Sequence, residues 1–133
     1  MKTMTLVCGL PNAGKTTYCE NYENVIHFDS INALSFEEKY NKCISEAVKQ
    51  DGDVTIDGNF YSRRIRMNLL NAFKDKDYRK VCIWVNAPLE TCLERSQTGG
   101  RDEEIVRHIN EYFEKPLLDE GWDELIYLYG NEN

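Results

Sequence analysis

The 133-residue chain contains no run of about 18 apolar residues, so no membrane-spanning helix is expected. It has no CxxC pair: the five cysteines stand alone at Cys8, Cys19, Cys43, Cys82 and Cys92. An odd, scattered set speaks against disulfides and zinc, and for buried reduced thiols in a reducing compartment. Internal repeats, low-complexity tracts and flexible linkers are absent too, and the length suits one domain over 1–133. The apolar stretch Met4–Cys8 is too short for a signal-peptide core and lacks a small-residue cleavage site. The expectation is a soluble, cytoplasmic protein without a membrane partner, monomeric or homodimeric.

The net charge of −7 at first argues against a nucleic-acid partner, but it is unevenly spread. Asp102–Asn133 holds 10 acidic and 2 basic residues, whereas Met1–Arg101 holds 13 acidic and 14 basic ones. The segment Arg63–Lys80 carries Arg63, Arg64, Arg66, Lys74, Lys76, Arg79 and Lys80. Either a basic face for an anionic substrate or a solvated helix surface produces such a pattern.

Five strand-like runs, Met4–Cys8, Val25–Phe28, Val54–Ile56, Val81–Val85 and Leu125–Leu128, are separated by helical patterns. The helical segments are Gly14–Tyr22, Ser35–Gln50, Ser62–Lys74, Leu89–Ser96 with Pro88 as an early helix position before it, and Asp102–Glu114. Ser35 with Glu38 resembles a capping box. Near-continuous apolar strands alternating with helices predict an α/β domain: a mostly parallel sheet of four to five strands, with helices on both faces. Trp84 and Trp122 read as core or semi-core. Tyr127 and Tyr129 belong around the last strand, whose end is a candidate border for a nucleotide base.

The strongest motif is Gly9-Leu10-Pro11-Asn12-Ala13-Gly14-Lys15-Thr16, a GxxxxGK[ST] phosphate loop between a strand and a helix. Its glycines let backbone N–H groups approach phosphate oxygens, and the helix that follows adds a positive N-terminal end. Lys15 sets a cation against the β- and γ-phosphates of ATP, and Thr16 offers a hydroxyl to Mg²⁺. The expected nucleotide-binding set is Gly9, Pro11, Asn12, Ala13, Gly14, Lys15, Thr16 and Thr17, with Arg95.

Two hydrolase readings lack their parts. No DxxG switch occurs, and Asn41-Lys42-Cys43-Ile44 lacks the Asp of a base-reading NKxD. The acidic strand Val54-Thr55-Ile56-Asp57 is followed by Gly58 rather than by the Glu that polarises water in motor-type ATPases. Transfer to an acceptor is therefore favoured. Asp29 ends the second strand, where ligands of open α/β sheets bind, and can accept a proton from an attacking hydroxyl; capping the next turn is the alternative. Asp57 ends the third strand and can hold Mg²⁺ beside Thr16 or contact substrate, or can be plain turn chemistry. Arg95 and Arg101 flank a Gly99-Gly100 pair and read as a lid over ATP, around 95–103, or as two surface arginines. His27, two residues before Asp29, is taken as a core histidine.

Taken in order, these segments carry a family likeness. Gly9–Thr17, the strand-ending Asp29, Asp57-Gly58-Asn59-Phe60 with Ser62-Arg63-Arg64, Val81–Pro88, Glu90–Arg95, and Arg101 with Glu104–Val106 and Phe113–Pro116 span nearly the whole chain. The chain resembles the 5′-polynucleotide kinase domain and the small P-loop kinases related to it, several of them phage-encoded and grouped broadly with AAA-type ATP-binding domains. The resemblance implies Lys15 and Thr16 at phosphates and metal, Asp29 as general base, and Arg95 and Arg101 as lid arginines. Polynucleotide kinases carry an Arg three residues after that Asp, where it engages the substrate's 3′-phosphate; this chain has Asn32 there. Arg63 or Arg64 is the expected replacement contact. A kinase-only activity is expected, since no length remains for the phosphatase or ligase domain of repair versions.

Three readings stand at this point. The first is an ATP- and Mg²⁺-dependent kinase of a 5′-hydroxyl polynucleotide or nucleotide-like acceptor. The second is a small-molecule kinase acting on a nucleoside, sugar or antibiotic. The third is an ATP-binding regulatory module, which would need no base aimed at an acceptor.

Overall fold

The computed structural model describes residues 1–129. Five strands, β1 (Lys2–Cys8), β2 (Val25–His27), β3 (Val54–Asp57), β4 (Tyr78–Val85) and β5 (Glu124–Leu128), form one sheet in the order β2-β3-β1-β4-β5. Every neighbouring pair is parallel. The helices are α1 (Lys15–Cys19), α2 (Phe36–Val48), α3 (Arg63–Ala72), α4 (Leu89–Ser96) and α5 (Glu103–Tyr112).

Alternation along the central strand divides the core between two faces. Met4, Leu6 and Cys8 of β1 point to one side, among Tyr40, Cys43 and Ala47 of α2 and Leu69 and Leu70 of α3. Val7 points to the other, among Cys19 of α1, Cys92 of α4 and Val106 and Ile109 of α5. All five cysteines are buried and unbridged. Trp122 is 5% exposed, while Trp84 is half-buried, stacked on Phe113 and edge-on to Tyr127. Among the described residues no helix is long and apolar enough to cross a membrane.

The elements depart from the sequence expectations mainly at their ends. β1 and β4 begin earlier than their apolar runs, because Lys2 and Thr3 pair with Tyr78 and Arg79 through the backbone ladder, which polar side chains do not interrupt. The second strand stops at His27, and Phe28–Ser30 turns into a 3₁₀ segment that carries Asp29. α1 is shorter than expected. α2 starts where Ser35 accepts the Glu38 N–H at 3.2 Å, and α3 where Ser62 accepts that of Ile65 at 3.1 Å. Pro88 is the residue before α4 rather than within it.

Candidate active site

The chain runs from β1 outward to β2 and β3 on one side, then to β4 and β5 on the other. The order therefore reverses at the C-terminal end of β1, the position at which open α/β sheets take their ligands. A cleft of about 990 Å³ lies there, lined by the phosphate loop, the ends of β2, β3 and β5, and the segment joining α4 to α5.

Lys15 is 8% exposed, and its Nζ donates to the Leu10 carbonyl at 2.7 Å across the loop. Burial holds its ammonium below the ordinary lysine range, and the Asp57 carboxylate pulls it part of the way back. Thr16 Oγ1 donates to Asp57 Oδ2 at 2.8 Å. The same oxygen lies 2.8 Å from His27 Nδ1. The parallel register explains that pairing: His27 and Asp57 are partners on β2 and β3, and Asp57 is in turn partner to Val7 of β1, two residues before the loop starts at Gly9. Thr16 and Asp57 present hard oxygen donors together, a donor set that suits Mg²⁺.

Asp29 is exposed in its 3₁₀ turn, with Oδ1 3.2 Å from an Arg101 guanidinium nitrogen. Arg95, in the last turn of α4, donates to the Asn12 carbonyl at 2.7 Å. Pro11, Asn12, Gly14, Lys15, Thr16, Thr17, Asp29, Asp57, Arg95 and Arg101 thus all line one cleft. Gly9 and Ala13, also in the loop, are buried and do not line the cleft.

Three expected substrate contacts are not brought there. Asn32 does not line the cleft; it is exposed, and its carbonyl accepts from Lys42 Nζ at 2.8 Å. Arg63 is tied to Asp119 at 3.0 Å, and Arg64 points out from α3 as an exposed residue, both outside the cleft. Nor does Arg63–Lys80 form one basic face. Arg66 is fully buried against Glu120, and Arg79 pairs with Glu124 at 2.8 Å.

His27 corrects a sequence expectation. Its side chain is 41% exposed and lines the cleft instead of filling the core, because β2 is the edge strand and His27 its last residue. Its spacing from Asp29 was the only signal of this in the sequence. Ser30, Asn59 and Thr98 line the cleft as well, though none was singled out as a site residue: Asn59 follows Asp57-Gly58, Thr98 lies between Arg95 and Arg101, and Ser30 follows Asp29. Leu128 and Tyr129 border it at the end of β5, where a base was anticipated.

No model of a known protein family matches the chain. At the sequence level it is similar to L-seryl-tRNA(Sec) kinase of Methanococcus maripaludis, 28% identical over 142 aligned positions that cover 90% of this chain and 56% of that protein. The chain thus spans little more than half the length of that curated relative. Among solved structures, Kti12 of Chaetomium thermophilum in complex with ADP-AlF3 matches with a TM-score of 0.76 at 18% identity, over 98% of this chain and 90% of that one. A fungal RNA kinase matches with a TM-score of 0.65 at 16% identity, over 99% and 77%. The fold is the α/β fold of the P-loop kinases. The likeness reaches that superfamily as a whole and does not single out the polynucleotide kinases within it.

Proposed function

We propose that the protein is an ATP-dependent phosphotransferase that moves the γ-phosphoryl group to a hydroxyl carried by a nucleic-acid or nucleotide-like acceptor. The observation that carries this reading is the convergence of a phosphate loop, a carboxylate and two arginines on one cleft. A protein that merely holds ATP has no use for a base facing the acceptor side.

Lys15 neutralises charge on the β- and γ-phosphates once it turns from the Leu10 carbonyl to the nucleotide. Thr16 and Asp57 are the residues that would hold Mg²⁺, and the ion would supply positive charge against the phosphates during transfer. Asp29 orients the acceptor hydroxyl and takes its proton as the oxygen bonds to the γ-phosphorus. The bond from that phosphorus to the β–γ bridging oxygen breaks, and ADP leaves with the electron pair. Arg95 and Arg101 stabilise the charge that gathers on the transferring group. His27, through its contact with Asp57, holds that carboxylate in place.

An RNA-linked acceptor is favoured by the sequence likeness to a kinase acting on a tRNA-borne serine and by the structural likeness to an RNA kinase. A small-molecule acceptor is the second reading. It is favoured by Asn32, Arg63 and Arg64 lying outside the cleft lining, so that none of these three is placed to grip a polynucleotide phosphate there.

The test is transfer of labelled γ-phosphate from ATP with Mg²⁺ to 5′-hydroxyl DNA and RNA oligonucleotides, seryl-tRNA and a nucleoside and sugar panel. Label is expected on a polynucleotide or tRNA. Asp29→Asn should lower the rate by about 10²–10⁴-fold while ADP still binds, and Lys15→Ala should abolish transfer. Label only on small molecules would select the second reading. ATP binding with no transfer to any acceptor, and no effect of Asp29→Asn, would overturn both.

A further inference from the structure

We propose that Asn12, although it lies in the phosphate loop, acts as a positioning residue that sets the lid arginines rather than as a nucleotide contact. Its backbone φ of 69° lies in the left-handed region, which asparagine tolerates better than most side chains. From there the side chain meets the lid. Nδ2 lies 3.1 Å from the Cys92 carbonyl, 3.1 Å from Ser96 Oγ and 3.2 Å from the Arg101 carbonyl. Oδ1 accepts the Arg101 N–H at 2.7 Å, and the Asn12 carbonyl accepts the Arg95 guanidinium at 2.7 Å. One residue therefore holds the end of α4, the backbone of Arg101 and the side chain of Arg95.

The lid is shaped to accept this clamp. A Cβ on Gly100 would lie 2.7 Å from Asn12 Oδ1 and 2.7 Å from the Arg95 carbonyl, so Gly100 is there to let the two segments approach. The Gly100 N–H closes onto that same carbonyl at 2.9 Å. Held in this way, Arg101 reaches Asp29 at 3.2 Å. A continuous path then runs from phosphate loop to lid to candidate base. A change of loop conformation on nucleotide binding is passed to both arginines through Asn12.

Two variants separate this role from a nucleotide contact. Asn12→Gly keeps the left-handed backbone and the main-chain carbonyl but removes the amide. Asn12→Asp keeps the shape and the acceptor for the Arg101 N–H but replaces the donor. Hydrogen exchange read by mass spectrometry over residues 97–102, with and without ADP and Mg²⁺, follows the lid and needs no acceptor. In Asn12→Gly, exchange there should quicken by about tenfold, the size of losing one or two such hydrogen bonds, while β1 and β4 keep their protection. Asn12→Asp should fall between that variant and the parent. ADP affinity should change by less than about threefold.

The catalytic half rests on the kinase reading above: kcat should fall at least about tenfold with the KM for ATP nearly unchanged. Unaltered lid exchange in Asn12→Gly, or a loss of ADP affinity as large as the gain in exchange, would overturn the proposal. Because exchange is measured without turnover, that failure is distinct from a failure to find an acceptor.

Discussion

At the scale of single residues, the tightest constraint lies outside the cleft. Arg66 and Glu120 have fully buried side chains and meet through two hydrogen bonds of 2.9 Å each. The remaining Arg66 nitrogen donates to the Phe60 carbonyl at 2.8 Å, and Glu120 also accepts from Trp122 Nε1 and the Leu117 N–H. The pair thereby ties α3 to the segment that follows Asp57 and to the approach to β5. Burial by itself would push the Glu120 carboxyl up; the donors from Arg66, Trp122 and Leu117 outweigh it and hold the group below the usual carboxylate range. A carboxylate depressed in the folded state adds stability that is present above its unfolded pKa of about 4.3 and is lost as pH falls through its lower folded value. Arg66→Met, which strands the Glu120 charge, should cost about 3–5 kcal/mol in urea unfolding at pH 7. Glu120→Gln should flatten the acid limb of the stability curve below about pH 4.

At the scale of elements, the phosphate loop depends on the strand beside it. A Cβ on Gly9 would stand 2.4 Å from the Val85 carbonyl at the end of β4, a backbone atom that cannot swing aside. Gly9→Ala must therefore lift the loop off the sheet. A strain of about 1–3 kcal/mol should appear as roughly a 5- to 150-fold loss of ADP affinity by calorimetry, with far-UV circular dichroism unchanged. The motif was legible because its glycines, lysine and threonine are contiguous in the chain. Arg95 and Arg101, expected together from their positions around a glycine pair, both line the cleft. That Gly100 serves a contact with Asn12 rather than mobility was not legible, because Asn12 and Arg101 are 89 positions apart. The helix and strand centres agree with the apolar periodicity, and the differences lie at termini, where backbone pairing and caps decide.

At the scale of the whole molecule, the cleft joins both halves of the sheet, so nucleotide binding should tighten the domain as a unit. ADP with Mg²⁺ at 100 times its Kd should add about 2.7 kcal/mol, a rise in Tm of roughly 10 °C for a chain of this size. Lys15→Ala should remove most of that rise in a thermal-shift titration. A rise preserved in Lys15→Ala would place the nucleotide elsewhere.

The sequence by itself determined the local chemistry and the class of fold. A contiguous phosphate loop, strands apolar along their length, helices between them and a carboxylate just past the second strand all follow from neighbours in the chain and from side-chain period. Tertiary structure alone decided strand order, and with it which distant residues meet. It set His27 beside Asp57 through the β2–β3 register and Arg101 beside Asp29 through the path of the segment between α4 and α5. It also withdrew Arg66 from an apparent basic face into a buried pair with Glu120, 54 positions away. The physical reason is the same in each case. Propensity and periodicity act over a few residues, whereas these contacts depend on crossovers between parallel strands, whose order is settled only when both faces of the sheet are covered.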